Sequence, residues 1–471
     1  MNARRGATLG LIATLCGAGS IARADDDAAV PASPSARPAI AFNRWQEDWS
    51  VLADPALRTE PLDDLKYIPL GADPKTYLSL GLNLRERYEQ SDANGFGTRN
   101  TPAANYVISR LETHADLHLG PQVQLFAQFE SAFAPGKERL APVDENRLDL
   151  EQAFAAYAVP VADGTVKLRL GRQEMGFDLQ RFVAVRDGPN VRQAFDAAWA
   201  DYETGPWRLI GFYSQPVQNR NLRAFDDYSS GHLTYGGIRL ERDDIGPGRL
   251  SVYYSRYTQD GARFLTVAGN ERRDIFDIRY AGGLDGWDWD LEGMGQIGQI
   301  DNERVQAWAF GNIGGYSWKT AFWSPRLGLQ FDGASGDSNP HDHVLETFNP
   351  LFPNGYYVTL AGYTGYVNFI HLKPSLTLHP LASVTLLAAV GMQWRQTTAD
   401  AVYTQPNIAV AGTAGKGGSY TGTYGQFRAD WRMTSHVSSA VEAVHFAIGD
   451  AIRRAGGHDS DYLGVEIKYG W

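Results

Sequence analysis

The last ten residues, YLGVEIKYGW at 462–471, carry a pattern that recurs through most of the chain. Every second position is apolar, namely Leu463, Val465, Ile467, Tyr469 and Trp471. The positions between them are Gly464, Glu466, Lys468 and Gly470. Successive side chains of a strand point to opposite faces, so these residues predict a strand with one apolar and one polar face. An edge strand of a soluble sheet and the closing strand of a membrane barrel share this pattern, so other segments must distinguish them.

The same two-residue period appears along the chain from residue 77 onwards. Leu78, Leu80, Leu82 and Leu84 occupy every second position of one stretch. Asn83, Arg85 and Arg87 fall on the opposite face. Near the other end, Phe427, Ala429, Trp431 and Met433 alternate with Arg428, Asp430 and Arg432. No apolar run after the first 24 residues is long enough for a transmembrane helix. The chain is therefore predicted to be all-β.

The connections between the predicted strands alternate in length. Short turns such as 120–121, 161–165, 204–206 and 434–436 follow one another with long polar stretches between them. The long stretches include 133–146, 174–192, 215–232, 260–272, 333–357 and 397–421. Short turns on one rim and long loops on the other are typical of outer-membrane barrels. We predict a single antiparallel barrel of about 18 strands over residues 76–471; a β-propeller or large β-sandwich is the alternative.

The N-terminus has the features of an export signal. Arg4 and Arg5 precede an apolar run at 7–18, and Ala22-Arg23-Ala24 is a small-x-small cleavage site. This predicts a signal peptide at 1–24 and a mature chain that begins at Asp25. The single cysteine, Cys16, lies within the signal, so the mature chain needs no disulfide or thiol chemistry. Residues 25–75 lack a clear period and are predicted to form a periplasmic N-terminal lead-in and linker.

The predicted inner face is rich in arginine although the whole chain has a net charge of −11. These arginines are Arg85, Arg87, Arg110, Arg169, Arg239, Arg279, Arg326, Arg395, Arg428 and Arg432. A lumen lined by guanidinium groups favours anions, because they offer paired donors to carboxylates and low-dielectric walls focus their field. Alternatively, the arginines pair with inner-face acids in a rigid ladder. The acids in question are Glu112, Asp116, Glu241, Asp277, Asp332 and Asp430.

Several stretches together resemble the alginate export family of outer-membrane barrels. They include LGLNLRERYE at 80–89, LGPQVQLFAQFESA at 119–132 and LRLGRQEMGFDLQRFVAVRDGPNVRQAFD at 168–196. TFNPLFPNGYY at 347–357 and DYLGVEI at 461–467 follow in the expected order. The resemblance implies an 18-stranded barrel for passive export or diffusion of an anionic polysaccharide held by lumen arginines. Its motifs add Arg172, Arg181, Arg186 and Arg192 to the candidate residues.

Two features qualify what the resemblance implies. The form GRQEMGFDLQRF at 171–182 looks like the broad, uncharacterised branch of the family, so alginate is not fixed as the substrate. In 166–173, Lys167, Arg169 and Gln173 fall on the inner face, which places Arg172 on the lipid face. A bulge at Gly171 would turn Arg172 inward, and without one it lies at the membrane interface.

We find no nucleophile elbow, metal-ligand pair or phosphate loop, so neither an enzyme nor a cofactor is expected. His341 and His343 flank Asp342, and Asp332 and Asp337 bound the stretch 332–337, but a solvated loop and a turn are expected there rather than metal sites. A structural or adhesive barrel and a lipid or sugar hydrolase remain as alternatives. The expected partners are outer-membrane lipid, an anionic small molecule or polysaccharide and the barrel-assembly machinery, with no nucleic acid. We expect a monomer.

Overall fold

The computed structural model describes residues 37–100, 103–405 and 407–471. The predicted signal peptide and its cleavage site at Ala24 lie outside the described residues. Within them, eighteen long antiparallel strands form a closed barrel. The strands in chain order are β1 (Ile68–Pro69), β2 (Tyr77–Ser91), β3 (Ala104–Leu119), β4 (Val123–Phe133), β5 (Asn146–Val161), β6 (Gly164–Glu174), β7 (Ala194–Thr204), β8 (Trp207–Pro216), β9 (Leu233–Ile245), β10 (Gly248–Arg263), β11 (Ala268–Leu284), β12 (Trp287–Ile300), β13 (Glu303–Ser317), β14 (Arg326–Ala334), β15 (Val344–Leu345), β16 (Phe369–Leu381), β17 (Val384–Trp394), β18 (Tyr403–Thr404), β19 (Ile408–Ala409), β20 (Tyr420–Arg432), β21 (Val437–Ile448) and β22 (Ser460–Gly470).

Of the four two-residue strands, β1 pairs with the start of β2 and β15 pairs with the start of β13, whereas β18 and β19 pair only with each other. The helices are short: α1 (Asp63–Lys66), α2 (Asp450–Arg454) and the 3-10 turns Arg44–Gln46, Trp49–Ala53, Pro55–Leu57 and Asn94–Asn100. No helix among the described residues is both long and apolar enough to cross a membrane. The barrel closes where β22 pairs with β2, with Lys468 opposite Arg85 and Gly470 opposite Asn83. Closure leaves no open edge, which a sheet in lipid requires.

The predicted alternation of short and long connections is confirmed on most of the wall. We number the long-loop connections L1 to L9 and use L3 (175–193), L4 (217–232), L7 (335–368) and L8 (395–419) below. The prediction of a long loop at 260–272 is wrong, because β10 continues to Arg263 and β11 begins at Ala268. Residues of this stretch pair across the two strands, Thr258 with Arg272 and Gln259 with Glu271. Their polar side chains therefore belong to extensions of the strands and not to a loop.

The two faces of the wall differ as the alternation predicts. On β22, Leu463, Val465, Ile467 and Tyr469 are exposed toward the lipid, whereas Glu466 is buried. The expectation that Trp471 shares the lipid-facing side is wrong, because only 9% of its surface is exposed and Lys66 lies 4.5 Å above its ring. Trp471 is instead covered by the segment that precedes the barrel.

The lumen is filled by folded chain. L3 and L7 contribute Phe177, Phe182, Phe348 and Phe352 to an apolar cluster that packs on wall residues such as Phe195. At the short-turn rim, residues 37–66 pack around Trp49, Leu52, Tyr67 and Tyr77. The part of the predicted linker that the structure describes, 37–75, is therefore a packed segment. We call residues 37–66 the N-terminal segment.

Candidate functional site in the lumen

One side of L3 is fixed to the wall by buried ion pairs. Asp178 accepts hydrogen bonds at 2.6 and 2.7 Å from the guanidinium of Arg239 on β9 and also contacts Arg279 on β11. Arg181 lies 2.9 Å from Asp290 on β12 and also contacts Glu292. Buried pairs of this kind are costly to break, because removal of one partner leaves an uncompensated charge. L3 is thus held across the lumen as a fixed element.

The other side of L3 is fixed to the first strands. Arg85 donates to the carbonyl oxygens of Asp187 and Gly188 at 2.8 and 3.1 Å. Arg110 donates to the carbonyl oxygen of Asn190 at 3.2 Å, and Arg192 lies 3.1 Å from Glu112 on β3. The two anchored sides place L3 between opposite parts of the wall.

Most candidate arginines have an acidic partner in the described part of the chain. The pairs are Arg85 with Glu466, Arg87 with Glu442, Arg110 with Glu112 and Asp187, Arg181 with Asp290 and Glu292, Arg192 with Glu112 and Glu174, Arg239 with Asp178 and Glu241, Arg279 with Asp178 and Asp290, Arg326 with Asp288, and Arg428 with Asp430. The ladder alternative therefore describes most of the wall. Asp116 and Asp332 instead contact His118 and His371, and the Asp277 oxygens have no partner among the described residues.

Two candidate residues lie outside the lumen path that we predicted. Arg395 starts L8, where its guanidinium is surrounded by backbone carbonyls, including that of Thr413 at 2.6 Å. It orders that loop because it satisfies carbonyls that the irregular backbone leaves without partners. Arg432 is exposed at the short-turn rim, 3.4 Å from the carbonyl oxygen of Ala382. Neither residue lines the described lumen.

Arg172 lies on the outer face, so its proposed place in the lumen is wrong. Gly171 has a φ of +131° and approaches β5 so closely that a side chain would meet the Ala153 carbonyl. The ladders on both sides nevertheless continue without a register shift, with Arg172 opposite Ala153 and Asp196. Alternation then keeps Arg172 opposite in direction to Arg169, and it pairs with Asp196 at 2.9 Å.

Arg186 differs from most other candidate arginines because it lies beside a cavity and away from acidic side chains. Its guanidinium donates to Gln193 at 3.2 Å and lies 5.9 Å from the Phe352 ring, and no carboxylate of the described residues is within ion-pair distance. Burial lowers the pKa of Arg186 to about 10, so it remains charged at neutral pH. Its side chain lines a cavity of about 760 Å³ between L3, L4, L7, L8 and the wall.

The same cavity combines polar and aromatic groups. It is lined by the amides of Gln193, Gln218, Gln259 and Asn349 and by the rings of Tyr257 and Phe352. Arg263 and Glu271 also line it, and the Glu271 carboxylate is paired with Arg273. Charged groups, several amides and aromatic faces are the usual elements of a small-molecule site. The arrangement can hold a single carboxylate beside Arg186 while the amides bond to neutral polar groups.

The N-terminal segment occupies the short-turn end of the lumen. Arg44 donates to the carbonyl oxygens of Trp471 and Leu82 at 2.9 and 3.1 Å, so it joins the last strand to the first. Trp45 lies 4.4 Å from the Arg169 guanidinium, and Phe42 lies 4.4 Å from that of Arg192 in L3. The segment therefore contacts both the wall and the loop that crosses the lumen.

We expect the position of this segment to depend on pH through Lys66. Burial, with the nearby Arg44 charge, lowers the pKa of Lys66 to about 7 in the docked state. When the segment leaves, Lys66 regains a pKa near 10.5 and binds a proton more readily. The free energy of docking therefore becomes more favourable as pH rises from 7 to about 10, by at most ~1.4 kcal/mol per pH unit. We expect conductance to fall between pH 7 and 9. Lys66→Met should abolish this dependence, whereas Lys319→Met, at an exposed lysine of the short-turn rim, should retain it.

Sequence reasoning missed the N-terminal segment as part of the site. Its residues do not alternate, so a search for strands passes over them. The available signal was compositional, because Phe42, Arg44, Trp45 and Trp49 place aromatic and cationic groups close together in a stretch interpreted as linker. Buried aromatic rings and a fully buried arginine show that this composition serves packing.

Comparison with known proteins agrees with this architecture. Acinetobacter baumannii OccAB1 superposes with a TM-score of 0.58 at 10% identity, over 87% of this chain and 99% of that one. Pseudomonas aeruginosa OccK9 (OpdG) gives 0.56 at 11% identity, over 83% and 98%. P. aeruginosa OccK2 (OpdF), solved in complex with glucuronate, gives 0.53 at 10% identity, over 83% and 96%. These likenesses show a shared fold. No curated protein sequence matches the chain.

A family model described as alginate export matches residues 76–466, which is the barrel and nearly the whole of its last strand. The match agrees with the eighteen-stranded wall and with the order of the motifs quoted above. The family and the structural neighbours are outer-membrane channels. The chain is therefore an outer-membrane β-barrel channel that belongs to the alginate export family.

Proposed function

We propose that this channel passes small anionic solutes, of the size of a monosaccharide acid, by passive diffusion across the outer membrane. The observation that carries the proposal is the position of Arg186, a charged group without an acidic partner that faces the cavity between L3 and L7. Most other candidate arginines are neutralised by nearby carboxylates and contribute little field at a distance. The selectivity for anions is then assigned to Arg186.

The remaining cavity lining supports a uronate as the model solute. Amide side chains such as Gln193 and Asn349 suit hydroxyl groups, the Phe352 ring suits the apolar face of a sugar, and Arg186 suits its carboxylate. The glucuronate bound in P. aeruginosa OccK2 makes this sugar acid a sensible probe. A long polysaccharide would require L3, L7 and the N-terminal segment to leave the lumen together, which favours small solutes.

Transport is proposed to follow the concentration gradient, because the sequence contains no phosphate-binding loop for nucleotide hydrolysis. The mature chain is proposed to act as a monomer in outer-membrane lipid after insertion by the barrel-assembly machinery. Passive diffusion makes the solute preference measurable in liposomes that contain only the purified protein.

The test compares entry of glucuronate with that of glucose into proteoliposomes. Wild-type protein should admit glucuronate faster, and Arg186→Gln should reduce that preference by ~5-fold, since a unit charge about 4 Å away in water is worth about 1 kcal/mol. Arg432→Gln removes an exposed arginine from the short-turn rim and serves as the matched control. Equal entry rates for glucuronate in wild type and Arg186→Gln would contradict the proposal.

A further inference from the structure

The outer face of the barrel carries a feature that the channel function does not use. L4 folds outward over β4 to β6: Phe225 packs on the outward-facing Phe129 with ring centroids 6.2 Å apart. The Phe225 amide also donates to the carbonyl oxygen of Leu148 at 2.9 Å. L4 is thus laid against the outside of the wall at the long-loop rim.

Three carboxylates meet under this loop. Asp149 from β5 and Asp226 and Asp227 from L4 each offer one oxygen, and these oxygens all lie within 4.8 Å of one another. This is the one group of three or more metal-ligating side chains so arranged within residues 37–100, 103–405 and 407–471. The Asp227 amide donates to Asp149 at 3.0 Å, which holds the loop acids close to the wall acid.

The positive charge at this place does not balance the acids. Arg172 is 3.6 Å from Asp149, but its principal contact is Asp196 at 2.9 Å. One guanidinium thus lies near three carboxylates, those of Asp149, Asp196 and Asp227. Like charges at this spacing repel, and an added cation removes the repulsion.

A buried amide supplies a second observation. Asn146 is 1% exposed, and its side chain reaches into the group, with Nδ2 2.8 Å from an Asp227 oxygen. The Asn146 Oδ1 atom is buried and has no hydrogen-bond partner in the described part of the chain, and the same holds for Asp226 Oδ1. Rotation of the amide by 180° exchanges its nitrogen and oxygen, and Asn146 turned in this way would offer the acids a fourth oxygen.

We propose that Asp149, Asp226, Asp227 and Asn146 form a site for a hard divalent cation, Ca²⁺ in the first instance. Carboxylate and amide oxygens are the ligands that Ca²⁺ prefers, and a loop that brings two of the acids adapts to its irregular coordination. Two ligands belong to L4 and two to β5, so the ion fastens L4 to the outside of the wall. The site lies outside the lumen, and its failure leaves the proposed solute selectivity intact.

The first test is calorimetric titration of Ca²⁺ into chelator-treated, full-length mature protein in detergent. Wild type should bind one ion that Asp226→Asn/Asp227→Asn loses. Asp243→Asn/Asp244→Asn, which removes two acids near the short-turn rim, should bind it as wild type does. Absence of binding to wild type, or undiminished binding to the L4 variant, would overturn the proposal. Heat-modifiable migration confirms that each variant is folded.

Trypsin cleavage provides a readout that does not depend on the titration. Arg220 and Arg223 are exposed in L4 and become good substrates when the loop leaves the wall. With Ca²⁺ at 100 times its Kd, wild-type cleavage in L4 should slow by ~10-fold or more, because the ligand depletes the released state. The single variant Asp227→Asn should be cut at the same rate with and without Ca²⁺. Cleavage of wild type that Ca²⁺ does not alter would contradict a fastening role.

Discussion

Oxidation of the double variant Ile40→Cys/Gly470→Cys is expected to lower conductance to the level of an empty bilayer, and reduction should restore it. The variant ties the N-terminal segment to the last strand. A Cβ atom at Gly470 would lie 3.9 Å from that of Ile40, within the range of disulfide bonds. The one native cysteine, Cys16, lies in the predicted signal peptide, so the bond that forms is unambiguous.

The physical basis is the way the segment fills the short-turn end. Arg44 holds it to both strands of the closing seam, and Phe42 extends it to Arg192 in L3. A solute can therefore pass only after the segment has left the lumen. Deletion of residues 37–58 should give a channel that stays open and has a higher conductance than wild type.

Single cysteine variants provide the controls. Ile40→Cys and Gly470→Cys alone cannot form the bond and should conduct like wild type under oxidising conditions. If the oxidised double variant conducts as freely as the reduced one, solutes pass beside the docked segment, and its role as a plug is wrong. Planar-bilayer recordings before and after addition of a reductant make the comparison on the same channels.

Deletion of Tyr469–Trp471 should prevent assembly of the barrel. These residues close the seam: Tyr469 pairs with Leu84, Gly470 with Asn83, and the Trp471 backbone exchanges hydrogen bonds with Leu82 at 2.7 and 2.9 Å. Without them, part of β2 has no partner, and unpaired backbone groups cost several kcal/mol each in lipid. Heat-modifiable protein in the outer-membrane fraction should disappear.

A side-chain variant separates the backbone from the rings. Tyr469→Ala/Trp471→Ala retains the whole ladder but loses the aromatic groups and the Lys66 contact, and we expect reduced but detectable assembly. Wild-type levels of folded, membrane-inserted protein after the deletion would show that the seam closes without its last three residues. Fractionation followed by electrophoresis with and without heating measures both variants.

The wall of the barrel could be predicted from the sequence because alternation is a local property. The inward direction of Arg85, Arg87 and Arg428 follows from their position between apolar neighbours. The length of the loops that became L3, L7 and L8 also follows from the polar runs between strands. Strand ends were less predictable, as β10 and β11 show, because a polar ladder in a water-facing extension has the composition of a loop.

The partners of the arginines could not be predicted, because alternation gives the face of a side chain but not its height or its neighbour. Arg87 meets Glu442 from a strand 355 residues away, and Arg181 meets Asp290 across the lumen. These contacts depend on closure and on the inward fold of L3. The sequence therefore predicted that the inner arginines form one anion path, whereas most of them form ion pairs that hold the loops and the wall together.

The reversal potential of single channels across a KCl gradient, measured on protein that lacks residues 37–58, tests the central claim most directly. With residues 37–58 removed so that the lumen is open, the potential should show preference for chloride, and Arg186→Gln in that background should bring it close to zero. Preference should also weaken at 1 M salt, where screening shortens to about 3 Å. A potential that favours potassium, or one that Arg186→Gln leaves unchanged, would contradict the account.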